Sequence, residues 1–145
     1  MFKRNPEFDQ ILAEAEKAAS AAAKEWLDAA LKRGPAFSVH EGSLFGGVTG
    51  EAIGALLDLC GGGYIVIKDG RKKFTKYLLD MKKHEYEQRF GYKPSAGCIG
   101  KYWSVHHELS MRQEMGLAEA ALRAFFTVLK SHGVSEGMYV HTYID

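Results

Sequence analysis

Leu59-Cys60-Gly61-Gly62-Gly63-Tyr64-Ile65-Val66-Ile67-Lys68-Asp69-Gly70 is the stretch on which the reading of this chain turns. Three glycines release the backbone, Tyr64 to Ile67 form an unbroken run of β-formers, and Asp69-Gly70 carries turn chemistry. A run with no polar break is buried on both faces, so the stretch predicts a central strand near 63–68 with other elements packed on it. Past Arg71 the apolar period becomes helical. Phe74, Tyr77, Leu78 and Met81 share one face and predict a helix over 74–90.

Upstream, Asn5-Pro6-Glu7 is a helix start: an Asn cap, a proline where its missing N–H costs nothing, and an acid at the positive end of the dipole. Lys32-Arg33-Gly34-Pro35 is the matching stop. The helix between them, over 5–33, carries Phe8, Ile11, Leu12, Ala15, Ala18, Ala22, Trp26 and Ala29 on its apolar side. Its alanines offer a smooth surface that another helix can approach closely. That surface has two uses: packing within the chain, or a homo-oligomer contact through Ala15, Ala18, Ala22 and Trp26. Between this helix and the decisive stretch, Ala36 to His40 reads as a short strand and Gly42 to Gly50 as a glycine-rich loop. A short helix is expected over about 50–59, capped by Thr49, with Ile53, Leu56 and Leu57 facing inward. The glycines of 46–50 lack the spacing of either GxxxxGKS/T or GxGxxG, so ordinary tight turns are the better reading of them.

Downstream, Gly91 to Gly97 breaks the second helix, and residues 98–105 form a second strand with Tyr102 and Trp103 on opposite faces. Ser110-Met111-Arg112-Gln113 has the look of a capping box. It opens a helix over 110–132 whose face is Met111, Met115, Ala118, Leu122, Phe125 and Leu129, with His132-Gly133 as its stop. Residues 138–144 read as a third strand, which must be paired to avoid fraying. The expected fold is therefore α+β in a single domain over 1–145. A small sheet of three or more strands carries two crossover helices, with the long N-terminal helix beside it. Were the strands parallel, the crossovers would be right-handed.

Composition narrows the function. A chain of 145 residues with 46% hydrophobic content can bury a core of its own. A net charge of +1 gives no general attraction to nucleic acid or to an anionic membrane. The exception is local: residues 68–83 hold seven Lys or Arg against two Asp, which keeps a nucleic-acid or other anion contact open there. No apolar run approaches the roughly 20 residues that cross a bilayer, and the first residues lack the apolar core of a signal peptide, so a cytosolic protein is expected. Cys60 and Cys98 have no CxxC spacing and read as buried hydrophobes.

From Cys60 onward the chain resembles a family of small accessory proteins of tailed bacteriophages. The resemblance rests on Cys60, Gly61, Gly63, Tyr64 and Ile65; on Lys68, Gly70, Phe74, Tyr77 and Leu78; and on Trp103. It continues through Ser110, Met111, Gln113 and Glu114, then Val128, Leu129 and Gly133, and ends at Tyr139, Ile144 and Asp145, covering about 59–145. Two departures stand out: Tyr143 occupies the place of an arginine in the family pattern, and residues 42–58 are longer than usual. What the resemblance implies is a phage source, an accessory role and the host cytoplasm as the place of action. It carries over no catalytic or binding residue.

The candidate chemistry comes from the residues themselves. His106-His107-Glu108 is the one cluster suited to a small hydrolase or transferase, but neighbouring imidazoles on extended backbone point apart, and HExxH is absent. No catalytic residue, metal site or cofactor is assigned, and an enzymatic role stays open without being favoured. A binding constellation fits better. Ser110 and Arg112 would hold an anion at a helix start, with Lys72, Lys73, His106, His107 and His141 as further polar groups, while Tyr64, Tyr102, Trp103, Tyr139 or Tyr143 would stack a base. The leading expectation is a phage accessory protein that binds a host defence protein or a nucleotide-like signal, as a homo-oligomer. The alternatives are a virion structural or assembly protein built through the 5–33 helix, and an enzyme centred on His106, His107 and Glu108.

Overall fold

The computed structural model describes residues 2–35, 37–42, 48–91, 102–103, 109 and 111–145. The elements are α1 (Pro6–Arg33), β1 (Phe37–Gly42), β2 (Val48–Leu56), β3 (Gly61–Ile67), α2 (Lys73–Phe90), β4 (Tyr102–Trp103), α3 (Met115–Ser131) and β5 (Met138–Ile144). The class is α+β. β3 pairs antiparallel with β5 along its whole length, from Gly61 opposite Ile144 to Ile67 opposite Met138. On its other side Ile65 and Val66 pair antiparallel with Trp103 and Tyr102. β1 and β2 form a separate antiparallel pair.

Helix α1 forms as its ends dictate. The Asn5 side chain accepts from the amides of Glu7 and Phe8, and Gly34 closes the last turn with φ near 87°. Its buried residues step by four through Ala15, Ala19 and Ala23, flanked by Ile11, Leu12 and Ala30. That stripe lies against α3, and the two helices run antiparallel. At one end His132 meets Glu14 at 2.9 Å, and at the other the Trp26 ring lies over Gly116. The inner side of β3, through Ile65 and Ile67, meets the same core as Leu117, Ala121, Leu122, Phe125 and Leu129 of α3 and Phe74, Tyr77, Leu78 and Met81 of α2. Phe8, in the first turn of α1, packs edge-on to Phe74 of α2 at 5.2 Å.

Several expectations need correction. Residues 50–56 belong to strand β2, so the short helix near 50–59 and its Thr49 cap do not exist; the backbone pairing with β1 overrides the helical spacing of Ile53, Leu56 and Leu57. Strand β3 starts at Gly61, two residues before the expected 63, so the whole glycine triplet lies within it. Every described strand pairing is antiparallel, so α2 and α3 are not crossovers between parallel neighbours. Helix α3 starts at Met115, and Met111 is 92% exposed. Residues 111–114 precede the helix and are held on the β3 side: the Gly61 amide donates to the Gln113 carbonyl at 2.8 Å, and Cys60 bridges Glu114. Within the expected oligomer surface, Ala15 is fully buried in its own chain, while Ala18, Ala22 and Trp26 are half-buried.

Candidate ligand-binding face

The helices cover one face of β3 and β5. The alternation of the strands sets the other row: Tyr139, His141 and Tyr143 on β5, opposite Val66, Tyr64 and Gly62 on β3. This outward face carries aromatic rings. The Tyr64 and His141 rings have centroids 5.1 Å apart at 33°, and the Tyr64 and Tyr143 rings are 6.1 Å apart at 41°. Tyr143 lies across Gly62, where a Cβ would come within 2.8 Å of its hydroxyl oxygen. Glycine at 62 is what lets that ring lie down on the strand. At the far end the Lys68 ammonium sits 5.1 Å from the centre of the Tyr139 ring. With residues i and i+2 about 6.8 Å apart along a strand, Tyr143 to Tyr139 spans on the order of 13 Å, closed at one end by a cation.

The other two glycines of the triplet serve the opposite face. A Cβ on Gly63 would lie 2.4 Å from Leu122 Cδ1 and 2.7 Å from the His141 carbonyl oxygen. Glycine here brings α3 down onto the backbone of β3. The phosphate role considered for glycine-rich turns has no counterpart in this triplet, which is consumed by packing on both sides.

Of the residues picked out from the sequence, Tyr64, His141 and Tyr143 are brought together. Backbone register puts Tyr102 across from Val66 and Trp103 across from Ile65. Lys72 and Lys73 stand apart at the start of α2, where Lys72 pairs with Glu136 at 3.5 Å. His106, His107 and Ser110 lie outside the described residues. Arg112 precedes α3 instead of occupying its first turn. It grips Glu114, whose carboxyl it holds below the usual range, so this guanidinium is already engaged by an internal anion. An amide at the observed start of α3 is also taken: Gly116 N–H donates to Asp58 Oδ2 at 2.7 Å.

One residue of the face escaped the sequence reading. Lys68 was grouped with the basic run, although its ammonium sits over the ring of Tyr139, its diagonal neighbour across the sheet; only the register reveals the pair. Tyr139, read from the sequence as a stacking ring, stands in the same row as His141 and Tyr143. A second concavity, about 660 Å³, lies between the chain before α1 and the side of α2, lined by Phe2, Lys3, Tyr77, Asp80, Lys83, His84 and Glu87. Phe2 stacks on His84 there at 5.2 Å, and acids and bases alternate around the rim, so it presents no single charge to a ligand. Among the described residues no cluster of three or more His, Cys, Asp or Glu is placed to hold a metal, and no helix is long and apolar enough to cross a membrane. No protein family, curated protein or solved structure matches the chain.

Proposed function

We propose that the protein acts by binding, and that its ligand is a nucleotide-like molecule whose base stacks on Tyr64, His141 and Tyr143 while its phosphate meets Lys68. The observation that carries this reading is the exposed ring cluster on one sheet face: Tyr143 is 44% exposed although it is flanked by another ring and laid over a glycine. Aromatic rings left in water at such density serve a partner with a flat face, and stacking of one base is worth about 1–3 kcal/mol. The resemblance to phage accessory proteins supports a setting in the host cytoplasm and a counter-defence role, in which such a surface sequesters a nucleotide immune signal or occupies a host defence protein. The use of the α1 alanine stripe within the chain argues against the alternative of assembly through that helix.

The test is a thermal-shift panel of cyclic and linear nucleotides on the full chain, with Tyr64→Ala and Tyr143→Ala alongside. A ligand at 100 times its Kd stabilises by about 2.7 kcal/mol. The reading requires a shift that both variants lose while keeping the wild-type circular dichroism. A flat panel, or a shift indifferent to both substitutions, overturns it.

A further inference from the structure

We infer that β5 is the interface of a homodimer, in which two copies of the strand pair antiparallel about a two-fold axis through His141. Strand β5 has β3 on one side and, among the described residues, no strand on the other. Its backbone directions follow from two bonds: Asp145 N–H donates to the Cys60 carbonyl at 3.0 Å, and the Gly137 carbonyl accepts from Lys68 N–H at 2.7 Å. Odd-numbered residues therefore turn their peptide groups toward β3. Even-numbered residues, Met138, Val140, Thr142 and Ile144, turn theirs outward.

Edge strands of this kind are normally blunted by lysine, proline, a bulge or an inward charge. Met138-Tyr139-Val140-His141-Thr142-Tyr143-Ile144 contains no Lys, Arg, Asp, Glu or Pro, and its register with β3 is unbroken over seven pairs. It also carries Tyr139, Tyr143 and Ile144, half of the exposed large apolar side chains among the described residues. An unguarded edge invites pairing, and the pattern of this one selects a second copy of itself. With His141 opposite its own symmetry mate, Val140 faces Thr142 of the partner and the two exchange both backbone bonds. Ile144 N–H reaches the partner's Met138 carbonyl. The Met138 amide, which would face the partner's Ile144 carbonyl, is given to Ser135 at 3.1 Å, so this outermost pair makes one bond and the seam ends there. On the side chains, Tyr139 meets the partner's Tyr143, and Ile144, 58% exposed, is covered by the partner's Met138. The seam over residues 138–144 holds no Lys, Arg, Asp or Glu, and the side chains that meet at the axis are the two His141 imidazoles.

The experiment is light scattering of the full chain at micromolar concentration, with Thr142→Pro for comparison. Because the Thr142 N–H points outward, proline there removes a donor from the dimer seam and none from the β3–β5 ladder. The expected masses are twice 16.1 kDa for the wild type and 16.1 kDa for the variant, with circular dichroism unchanged. A second measurement fixes the register without risk to folding. Opposed non-hydrogen-bonded residues lie about 4.5 Å apart at Cα, within disulfide range. His141→Cys is therefore expected to form a covalent dimer on oxidation where the wild type, with Cys60 and Cys98, does not, and Tyr139→Cys is expected to stay uncrosslinked. A monomeric wild type overturns the inference, as does a dimer in which residue 141 does not crosslink. Either result leaves the stacking face to be judged by its own nucleotide panel.

Discussion

The hydroxyl of Tyr77, in the second turn of α2, donates to the carboxylate of Asp9 in the first turn of α1, and the same oxygen accepts from the Asn5 amide at 3.4 Å. One phenol thus serves both the open end of a helix and the acid placed there by the helix dipole. Arg4 completes the group, reaching Asp9 at 3.5 Å. Burial, then the hydrogen bond to Asp9, pushes the Tyr77 hydroxyl above the usual phenol range.

Tyr77→Phe should therefore destabilise the fold by about 1–2 kcal/mol, the scale of a hydrogen bond to a charged group discounted for the partial exposure of Asp9. Urea unfolding measures it. The pH dependence has a definite sign. The folded form holds its phenol proton to higher pH than the unfolded chain, so this contribution is whole below about pH 10 and is lost as pH rises through the folded value. In Tyr77→Phe the alkaline decline should be shallower than in the wild type. Equal slopes would refute the assignment.

Helix α3 has no cap of its own, since Glu114 at the N-cap position makes no side-chain cap bond. Asp58 supplies one from a distance of 58 residues in sequence, through Gly116 N–H. Asp58→Ala should cost about 1 kcal/mol and Asp58→Asn distinctly less, since an amide oxygen still accepts. Thermal unfolding of the pair decides it: equal losses would mean that the carboxylate acts by charge alone.

Gly63→Ala should cost about 1–3 kcal/mol, because the new methyl group meets Leu122 Cδ1 and the His141 carbonyl oxygen well inside contact distance. Paired with Leu122→Ala, its cost should be less than the sum of the two single losses, as expected for residues sharing one space. Strict additivity in a double-mutant cycle would place the clash elsewhere.

At the exit of β3, Asp69 accepts from the Arg71 guanidinium at 2.9 Å and from the Arg71 amide at 3.0 Å, which hold its carboxyl down to about 2. A depressed folded value stabilises above the unfolded value of 3.8 and is lost as pH falls through about 2. The difference in stability between wild type and Asp69→Asn should accordingly shrink across that window. A difference independent of pH would assign Asp69 a purely steric part in the turn.

If the aromatic face holds a nucleotide, Lys68→Gln should weaken nucleotides far more than the corresponding nucleosides, and the nucleotide affinity of the wild type should fall with added salt. Isothermal titration of matched nucleoside and nucleotide pairs measures this. Equal losses for both would move the phosphate away from Lys68.

Sequence alone determined the elements whose signals are local. The Asn5-Pro6 start and Gly34 stop of α1, the Phe74, Tyr77, Leu78, Met81 face of α2, and the strands at Tyr64–Ile67 and 138–144 each follow from capping chemistry or from the period of a few consecutive residues. Tertiary structure decided everything that depends on a distant partner. The spacing of Ile53, Leu56 and Leu57 suited a helix until β1 offered hydrogen bonds. The helix expected from residue 110 starts at Met115, beyond the bridge between Cys60 and Glu114, and its cap comes from Asp58. The glycine triplet looked like freedom of the backbone and proved to be close approach, with Leu122 on one side and Tyr143 on the other. The aromatic face was half legible, since alternation in β5 is local, while Tyr64 and Lys68 join it only through a register fixed by seven antiparallel pairs. Backbone propensity is set by neighbours in the chain; which face a residue serves is set by what the fold lays against it.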